Sequence, residues 1–281
     1  MASQMMPITD DHMHINLKMG RGIEAIKEFK NVGGTHVFIV SLPANESGLT
    51  IRKAEDYREV YDLTVEAVRH ASEYVNAYAV IGVHPAEFIW LAETYGMDIG
   101  YEIVKDAFDM AARYVADGKA VALKSGRPHY PVTPELWEAS NSLMKYAMNL
   151  CKELDCAIQL HTESEEGTME SLSEIAGSVG MPPYRTIKHF SPPLVRKCED
   201  LNIFPSVVAS KGALEEALSQ GTRFMIETDY IDDPNRPGAV LGPKTVPRKT
   251  KDAIKNGVPE EVFYKIHKDN PEKCYGVKIE V

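Results

Sequence analysis

Residues 120–162 read AVALKSGRPHYPVTPELWEASNSLMKYAMNLCKELDCAIQLHT, and this stretch contains one complete repeating unit of the fold. Two short apolar runs, Ala120–Ser125 and Ala157–Thr162, have the composition of buried strands. Between them apolar residues recur with helical spacing over 136–154, and Pro134 stands where a helix accepts proline in its first turn. A strand, a helix and a strand in this order predict a parallel strand pair with a right-handed crossover.

The same alternation continues along the whole chain of 281 residues. Helical spacing recurs over 54–75 and again over 103–115. Eight such units favour a closed α/β TIM (β/α)8 barrel over an open doubly wound sheet. No linker rich in Pro, Gly or Ser interrupts the pattern, so a single domain is expected over 1–281. The strand candidates are Ile8–Ile15, Thr35–Leu42, Ala77–His84, Ala120–Ser125, Ala157–Thr162, Tyr184–Phe190, Ile203–Ala209 and Arg223–Tyr230.

The composition is that of a globular protein, with 44% hydrophobic and 26% charged residues. A net charge of −10 disfavours bulk electrostatic binding to nucleic acid. The four cysteines show no CxxC spacing, which favours free thiols in a reducing compartment. No apolar run approaches the roughly 18 residues of a membrane helix. Since 1–7 also lack the features of a secretory signal, a cytoplasmic location is expected.

Ligand-type side chains stand at the ends of four predicted strands. His12 and His14 close the first strand and, being two residues apart, point to the same face. The fifth strand ends at His161, the sixth at His189 and the eighth at Asp229. Each alone would also fit a solvated or packed residue, but four strands repeat the feature at the end of the barrel that carries active sites. Imidazole with carboxylate favours zinc foremost, or manganese, iron or nickel.

This ordered set resembles the amidohydrolase superfamily and, within it, the TatD-related metal-dependent hydrolases, particularly their archaeal branch of predicted hydrolases. The resemblance covers most of the chain and implies a hydrolase on a (β/α)8 barrel. It rests on the HxH pair His12 and His14, on Gly82-Val83-His84-Pro85, on Gly126-Arg127-Pro128-His129, on His161 and His189, on Glu227-Thr228-Asp229 and on Asn270-Pro271.

The resemblance implies a centre of one or two divalent metal ions. The first ion would be held by His12, His14 and Asp229. The second would be held by His161 and His189. Asp229 would also accept the proton of the attacking water, which fits the basicity of a carboxylate beside a divalent ion.

The sequence departs from the resembled pattern on the fourth strand. There the family carries a glutamate that bridges two ions, whereas this chain has Lys124. An ammonium has no lone pair for a metal and would be repelled by it. Three interpretations stay open. In the first, Lys124 reacts with carbon dioxide to form an anionic carbamate, and in the second it remains an amine beside a single ion. Otherwise the strand is misaligned with the family pattern or the site holds no metal. Glu227, one pleat below Asp229, either orients a metal ligand or forms a buried ion pair.

Loop residues near the strand ends predict how substrate binds. His84 and His129 are expected to face the mouth and contact substrate, and Arg127 to hold an anionic group. Phosphodiester hydrolysis follows from the resemblance, on a small molecule or a short anionic substrate. The acidic charge and the lack of a basic patch interleaved with aromatics argue against an extended nucleic-acid track. Further basic residues in predicted loops are Lys211, Arg236, Lys244 and Arg248.

Other functions stay open at this point. The same centre would polarise the carbonyl of an amide or lactone. A Schiff-base lyase would use Lys124 as its nucleophile but leaves the histidines without a role. A metal-binding barrel without activity is opposed by the presence of Asp229. The remaining histidines, His36, His70 and His267, are expected at packing or surface positions, and the polar stretch Asp232–Lys251 is expected as a loop over the mouth.

Overall fold

The computed structural model describes residues 6–281, and its centre is a sheet of eight parallel strands in the order β1 to β8. All eight predicted strands are present, most of them with shorter bounds. The strands are β1 (Thr9–Met13), β2 (His36–Val40), β3 (Asn76–Gly82), β4 (Ala122–Gly126), β5 (Ala157–His161), β6 (Thr186–Ser191), β7 (Phe204–Val208) and β8 (Met225–Glu227).

Helices follow the strands and form the outer layer, as the alternation predicts. Three are long: α2 (Tyr57–Ala71), α4 (Met97–Ala116) and α5 (Pro134–Glu153). Pro134 begins α5, and the Thr133 hydroxyl accepts a hydrogen bond from the backbone N–H of Leu136 as its cap. The others are α1 (Ile23–Asn31), α3 (Pro85–Tyr95), α6 (Thr168–Val179), α7 (Val195–Asp200), α8 (Ala213–Gln220), α9 (Thr245–Lys255), α10 (Glu260–Tyr264) and α11 (Asn270–Tyr275). In this part of the chain no helix has both the length and the apolar composition needed to cross a membrane.

The first and last strands meet, which makes the sheet a nearly closed barrel. Met13 and Tyr230 form a parallel bridge just beyond β8. The His14 amide donates to the Tyr230 carbonyl oxygen at 2.8 Å. The (β/α)8 barrel predicted from the strand–helix alternation is therefore confirmed.

Side chains alternate between the barrel interior and the helix layer. On β2, Val37 and Ile39 pack outward with α1, whereas Phe38 belongs to the inner cluster. On β5, Ile158 and Leu160 join the core beneath the surrounding helices. Gln159 and His161, the last residue of the strand, therefore share the inner face with Ala157. This alternation directs polar side chains at the strand ends into the barrel.

The chain after β8 is a loop only in part. Irregular backbone continues to Lys244, and Ile231 and Arg236 line the mouth of the barrel. The expectation of a loop through Lys251 is wrong, because α9 begins at Thr245 and buries Val246 and Thr250 on one face. Residues four apart share a helix face, and that spacing stabilises the helix against the barrel.

Candidate metal centre

The ends of β1 and β8 bring three ligand-type side chains together. The Nε2 atoms of His12 and His14 lie 3.1 Å apart. Asp229 Oδ1 lies 3.7 Å from the first and 3.8 Å from the second. The two rings share a face because Met13, between them, packs outward with α1. Asp229 has a left-handed backbone with φ 47°, a conformation that aspartate adopts more readily than most residues.

Hydrogen bonds fix which nitrogen of each ring carries the proton. His12 Nδ1 donates to Gln159 Oε1 at 2.7 Å, since the Gln159 amide nitrogen donates to the Asp11 carbonyl oxygen. His14 Nδ1 donates to the Val40 carbonyl oxygen at 2.9 Å. In a neutral imidazole the other nitrogen then presents a lone pair. Two lone pairs facing each other beside a carboxylate repel unless a cation lies among them, so these residues fit a divalent metal ion.

His189 adds a further acceptor to this group. Its ring stacks on that of His12 with centroids 3.6 Å apart, and its Nε2 lies 3.9 Å from Asp229 Oδ1. Its Nδ1 lies 2.7 Å from Glu227 Oε1, which also accepts a hydrogen bond from the Phe190 amide at 2.9 Å. A carboxylate on the far nitrogen of a metal-binding imidazole holds the ring's orientation. This placement suits the supporting role considered for Glu227.

His161 lies near His189 and also beside the two histidines of the mouth. Its Nε2 is 3.0 Å from His129 Nδ1, and its ring centroid is 4.3 Å from that of His84 and 5.5 Å from that of His189. Among residues 6–281, ligand atoms lying within 4.8 Å of one another form the groups His12–His14–Asp229 and His12–His189–Glu227. The structure thus places His189 with His12 and gathers His161 with the two histidines of the mouth.

Lys124 occupies the inner face of β4. It is in register with Gly82 of β3 and Gln159 of β5, and its buried side chain lines the cavity at the mouth. A Cβ on Gly82 would lie 1.9 Å from the Lys124 carbonyl oxygen, so only glycine permits this strand approach. The charges that act on the ammonium group include those of Asp229 and Glu87.

A second buried lysine, Lys188, has a different environment. Its ammonium group donates to the carbonyl oxygens of Thr162 at 3.2 Å and His189 at 2.7 Å. These bonds tie the end of β5 to the end of β6. The ammonium group of Lys188 donates its hydrogen bonds to the protein backbone, whereas that of Lys124 faces the cavity.

Arg127 is enclosed by protein acceptors. Its guanidinium is buried behind the cavity wall, with Nε donating to Glu163 at 2.9 Å. Another nitrogen donates to Asn141 at 3.0 Å and Ser171 at 2.9 Å, and the group stacks over the Trp137 ring. Because protein acceptors already use its donors, this environment favours a structural role, and binding of a substrate anion by Arg127 stays a prediction.

A hydrogen-bonded chain that the sequence did not indicate lies beneath the metal-binding residues. Gln159 Nε2 lies 2.6 Å from the Tyr275 hydroxyl, which is 2.8 Å from Asp11 Oδ1. Gln159 could have been found from its position two residues before His161, on the same strand face. Tyr275 could not, since it enters from α11 at the end of the chain. Together they fix the tautomer of His12.

Burial controls the ionisation of the centre. It lowers the pKa of the strand-end imidazoles well below their usual range, so the rings are neutral, the form that binds metals. Burial also raises the pKa of Asp229 to about 7 and lowers that of Lys124 to about 8. The imidazoles concerned are those of His12, His14, His161 and His189.

A cavity of about 880 Å³ lies over these residues, within the size range of small-molecule sites. Its floor is formed by strand-end side chains that include Lys124 and Asp229. Both mouth histidines line it: His84, at the start of α3, and the exposed His129. The remaining walls come mainly from the segment after β2, from α3 and from the loop after β5.

Comparisons with known proteins agree with this architecture. The family described as TatD related DNase matches residues 9–276. The uncharacterized protein MJ1127 of Methanocaldococcus jannaschii is 38% identical over 281 residues, covering 98% of each chain. YJJV, a TatD homolog from Escherichia coli, has a TM-score of 0.65 at 17% identity, over 96% of this chain and 98% of that one. The lactonase Lmo2620 from Listeria monocytogenes has a TM-score of 0.60 at 15% identity, over 97% and 95%. The two structures share the barrel, while the family match spans nearly the whole chain: this protein belongs to the family described as TatD related DNase and is a metal-dependent hydrolase.

Proposed function

We propose that this hydrolase cleaves a small phosphoester. The observation that carries the proposal is the convergence of the His12 and His14 lone pairs with the Asp229 carboxylate at the floor of a cavity. The family's description as a DNase supports phosphorus–oxygen bond cleavage as the reaction. The cavity's size supports a small substrate.

The residues divide the work of hydrolysis among them. A divalent ion held by His12, His14 and Asp229, zinc foremost, would lower the pKa of a water and polarise a phosphoryl oxygen. Asp229 accepts a proton from the attacking water while the oxygen of that water bonds to phosphorus. The ester phosphorus–oxygen bond breaks, and the departing alcohol takes up the proton. Gln159 holds the ring of His12 through a hydrogen bond, and the Glu227 carboxyl group lies against Nδ1 of the His189 ring.

The mouth histidines are placed to orient the substrate. His84 Nδ1 accepts the Ala86 amide N–H at 3.2 Å, so the proton of the neutral ring is on Nε2. That nitrogen can donate to a substrate oxygen. His129 contributes a second imidazole on the exposed side, beside His161. We assign both histidines to substrate binding.

Hydrolysis of a carboxyl ester or lactone is the second candidate. One observation favours it: Arg236, the arginine that lines the cavity in the described part of the chain, is paired with Glu46 at 2.8 Å and Asp233 at 2.6 Å. A strongly anionic substrate would compete with these carboxylates, whereas a neutral carbonyl needs no cation on the wall.

Metal content tests the centre itself. Protein purified without chelator or nickel affinity should contain one or two transition-metal ions per chain, measured by elemental analysis. The double variant His12→Ala, His14→Ala should lose at least one ion, whereas His70→Ala, on the outer face of α2, should keep the wild-type content. A wild-type metal content in the double variant would contradict the assignment of His12 and His14 as metal ligands.

A panel of p-nitrophenyl phosphoesters, carboxyl esters and lactones tests the reaction. On any responsive substrate, Asp229→Asn should lower the rate by about 10²–10⁴, the range for a general base. A loss of only a few-fold would assign the proton transfer to another group. Turnover of lactones but not phosphoesters would replace the first candidate with the second.

We also propose that Lys124 carries a carbamate. Its amine faces the cavity on the strand where the resembled hydrolases have a metal-bridging glutamate. The neutral amine nitrogen bonds to the carbon of carbon dioxide and releases one proton, which leaves an anionic carboxylate at the end of the side chain. That group would supply oxygen ligands for a second ion. An unmodified amine beside a single ion is the alternative.

Labelled bicarbonate tests the carbamate directly. Protein loaded with metal and ¹³C-bicarbonate should show a carbamate carbon signal by NMR, and metal removal should abolish it. Lys124→Glu, which is anionic without modification, should retain more metal than Lys124→Ala, which should lose the second ion. An unmodified lysine in fully metallated, active protein would leave the single-ion alternative.

We further propose a cytoplasmic location, which is supported by the cysteines. All four are free thiols buried in the fold, as a reducing compartment allows. Localisation of a tagged full-length chain in its native cell, by fractionation, tests this.

A further inference from the structure

One wall of the cavity is apolar. After β2 the chain turns around the mouth, and Leu42, Leu49 and Ile51 line the cavity there. Trp90, in the middle of α3, continues the same wall. These side chains lie above the floor that carries the metal-binding residues, so a molecule that reached the floor would contact them.

Two aromatic side chains at this mouth are exposed to solvent. Trp90 is 44% exposed and Phe190 is 43% exposed, and both line the cavity. Exposing a large aromatic group forgoes roughly 25 cal/mol for each Å² that could be buried. Exposed apolar surface that borders a concave site marks a place where a ligand buries it. The mouth is therefore built to receive an apolar group.

The charges around the mouth oppose an extended polyanion. Carboxylates of Glu46 and Glu165 line the cavity. Arg236, on the same rim, is already paired with Glu46 and with Asp233. A nucleic-acid strand that crossed this mouth would bring its phosphates close to these carboxylates. Proteins that bind such a strand instead provide free cations along its path. An uncharged organic group meets no such cost.

We propose that the substrate carries an alkyl or aryl group that seats against Trp90, Leu49 and Ile51 while its ester group lies at the floor. The proposal rests on hydrolysis of a small ester as the reaction, and it specifies the organic part of the molecule. The chemical class is thus a phosphoester, or a carboxyl ester, of an apolar alcohol or acid rather than a nucleotide.

Two ligand series test the seat without needing turnover. Calorimetry on the metal-loaded protein would measure binding of n-alkylphosphonates and n-alkylcarboxylates, from methyl to octyl. A buried methylene contributes about 0.8 kcal/mol, so each added carbon should tighten binding by about two- to four-fold. The heat-capacity change of binding should become more negative along each series, which is the signature of apolar burial.

Variants locate the seat. Trp90→Ala and Leu49→Ala should reduce the gain per methylene and leave the affinity for the methyl ligands within about two-fold of wild type. Ile99→Ala removes a similarly exposed apolar group, 56% exposed on α4 and outside this cavity, and should leave the whole series unchanged. Thermal melts of each variant show that the fold is retained.

The outcomes separate this inference from the proposed reaction. Affinity that rises with chain length in both series would support the apolar binding site. If lactones alone were then turned over, the binding site would stand and lactone hydrolysis would replace phosphoester hydrolysis as the reaction. Affinity independent of chain length, or nucleoside monophosphates binding tighter than octylphosphonate, overturns the seat whatever the reaction. A full chain-length gain in Trp90→Ala and Leu49→Ala overturns it as well.

Discussion

Arg127 and Lys124 stand three residues apart at the same strand end and have different roles. Arg127 is enclosed by Glu163, Asn141 and Ser171, so its charge serves the fold. Lys124 faces the cavity and is available to metal or substrate. Both residues are basic, but Lys124 lies within β4 and Arg127 just beyond its end at Gly126. What differs is the surroundings: two helices and the loop after β5 bring acceptors to Arg127, whereas the Lys124 side chain lines the cavity.

The Arg127 pairing leads to a stability prediction. Arg127→Ala leaves the largely buried Glu163 carboxylate without its ion-pair partner, and loss of one member of a buried pair costs about 3–5 kcal/mol. Urea unfolding should show a loss toward the lower end of that range. The matched change Arg236→Ala removes an exposed pair and should cost less than about 1 kcal/mol.

A second measurement separates the two roles of Arg127. If it serves only the fold, the ratio of kcat/KM for phosphoesters to that for neutral esters should not change in the folded variant. A selective loss on phosphoesters would return Arg127 to substrate binding.

At the scale of elements, one carboxylate joins the loops that follow β8 and β1. The buried Asp232 accepts backbone hydrogen bonds from Asn16 at 3.0 Å, Arg21 at 2.8 Å and Gly22 at 2.8 Å. A Cβ on Gly20 would lie 2.4 Å from this carboxylate, so glycine is needed for the approach. These bonds hold the two loops beside the strand ends that carry the metal-binding residues.

Replacing that carboxylate should loosen the mouth. Asp232→Asn turns an amide nitrogen toward backbone donors and should cost about 1.5–3 kcal/mol, the range for a hydrogen bond to a charged group. Urea unfolding measures the loss. Asp233→Asn, which removes a partner of the exposed Arg236, is the matched control and should cost less. Equal losses in the two variants would mean that Asp232 does not join the loops as described.

At the scale of the whole molecule, we expect charge to disfavour the approach of nucleic acid. The chain carries a net charge of −10, and the rim of its cavity is acidic. Non-specific DNA binders reach a Kd of about 10⁻⁴–10⁻⁶ M through released counterions. Fluorescence anisotropy with labelled single- and double-stranded oligonucleotides should therefore show a Kd weaker than about 10⁻⁴ M at physiological salt. Micromolar binding that weakens steeply with added salt would contradict this.

The sequence by itself determined the barrel and the direction of its strand-end side chains. Strand and helix each have a short period, so a local run of residues specifies the element and which side chains share a face. His12 and His14 could therefore be placed together from two positions on one strand. The fourth-strand lysine could likewise be recognised as facing inward.

Tertiary structure decided the partners of those side chains. Tyr275 reaches Asp11 across a separation of 264 residues, and His161 lies beside His129 rather than at the Asp229 carboxylate. The donors of Arg127 are likewise used by other segments of the chain. The physical reason is that a hydrogen bond requires contact to within a few tenths of an ångström. The local periodicity that specifies a strand does not specify distances between segments far apart in the chain.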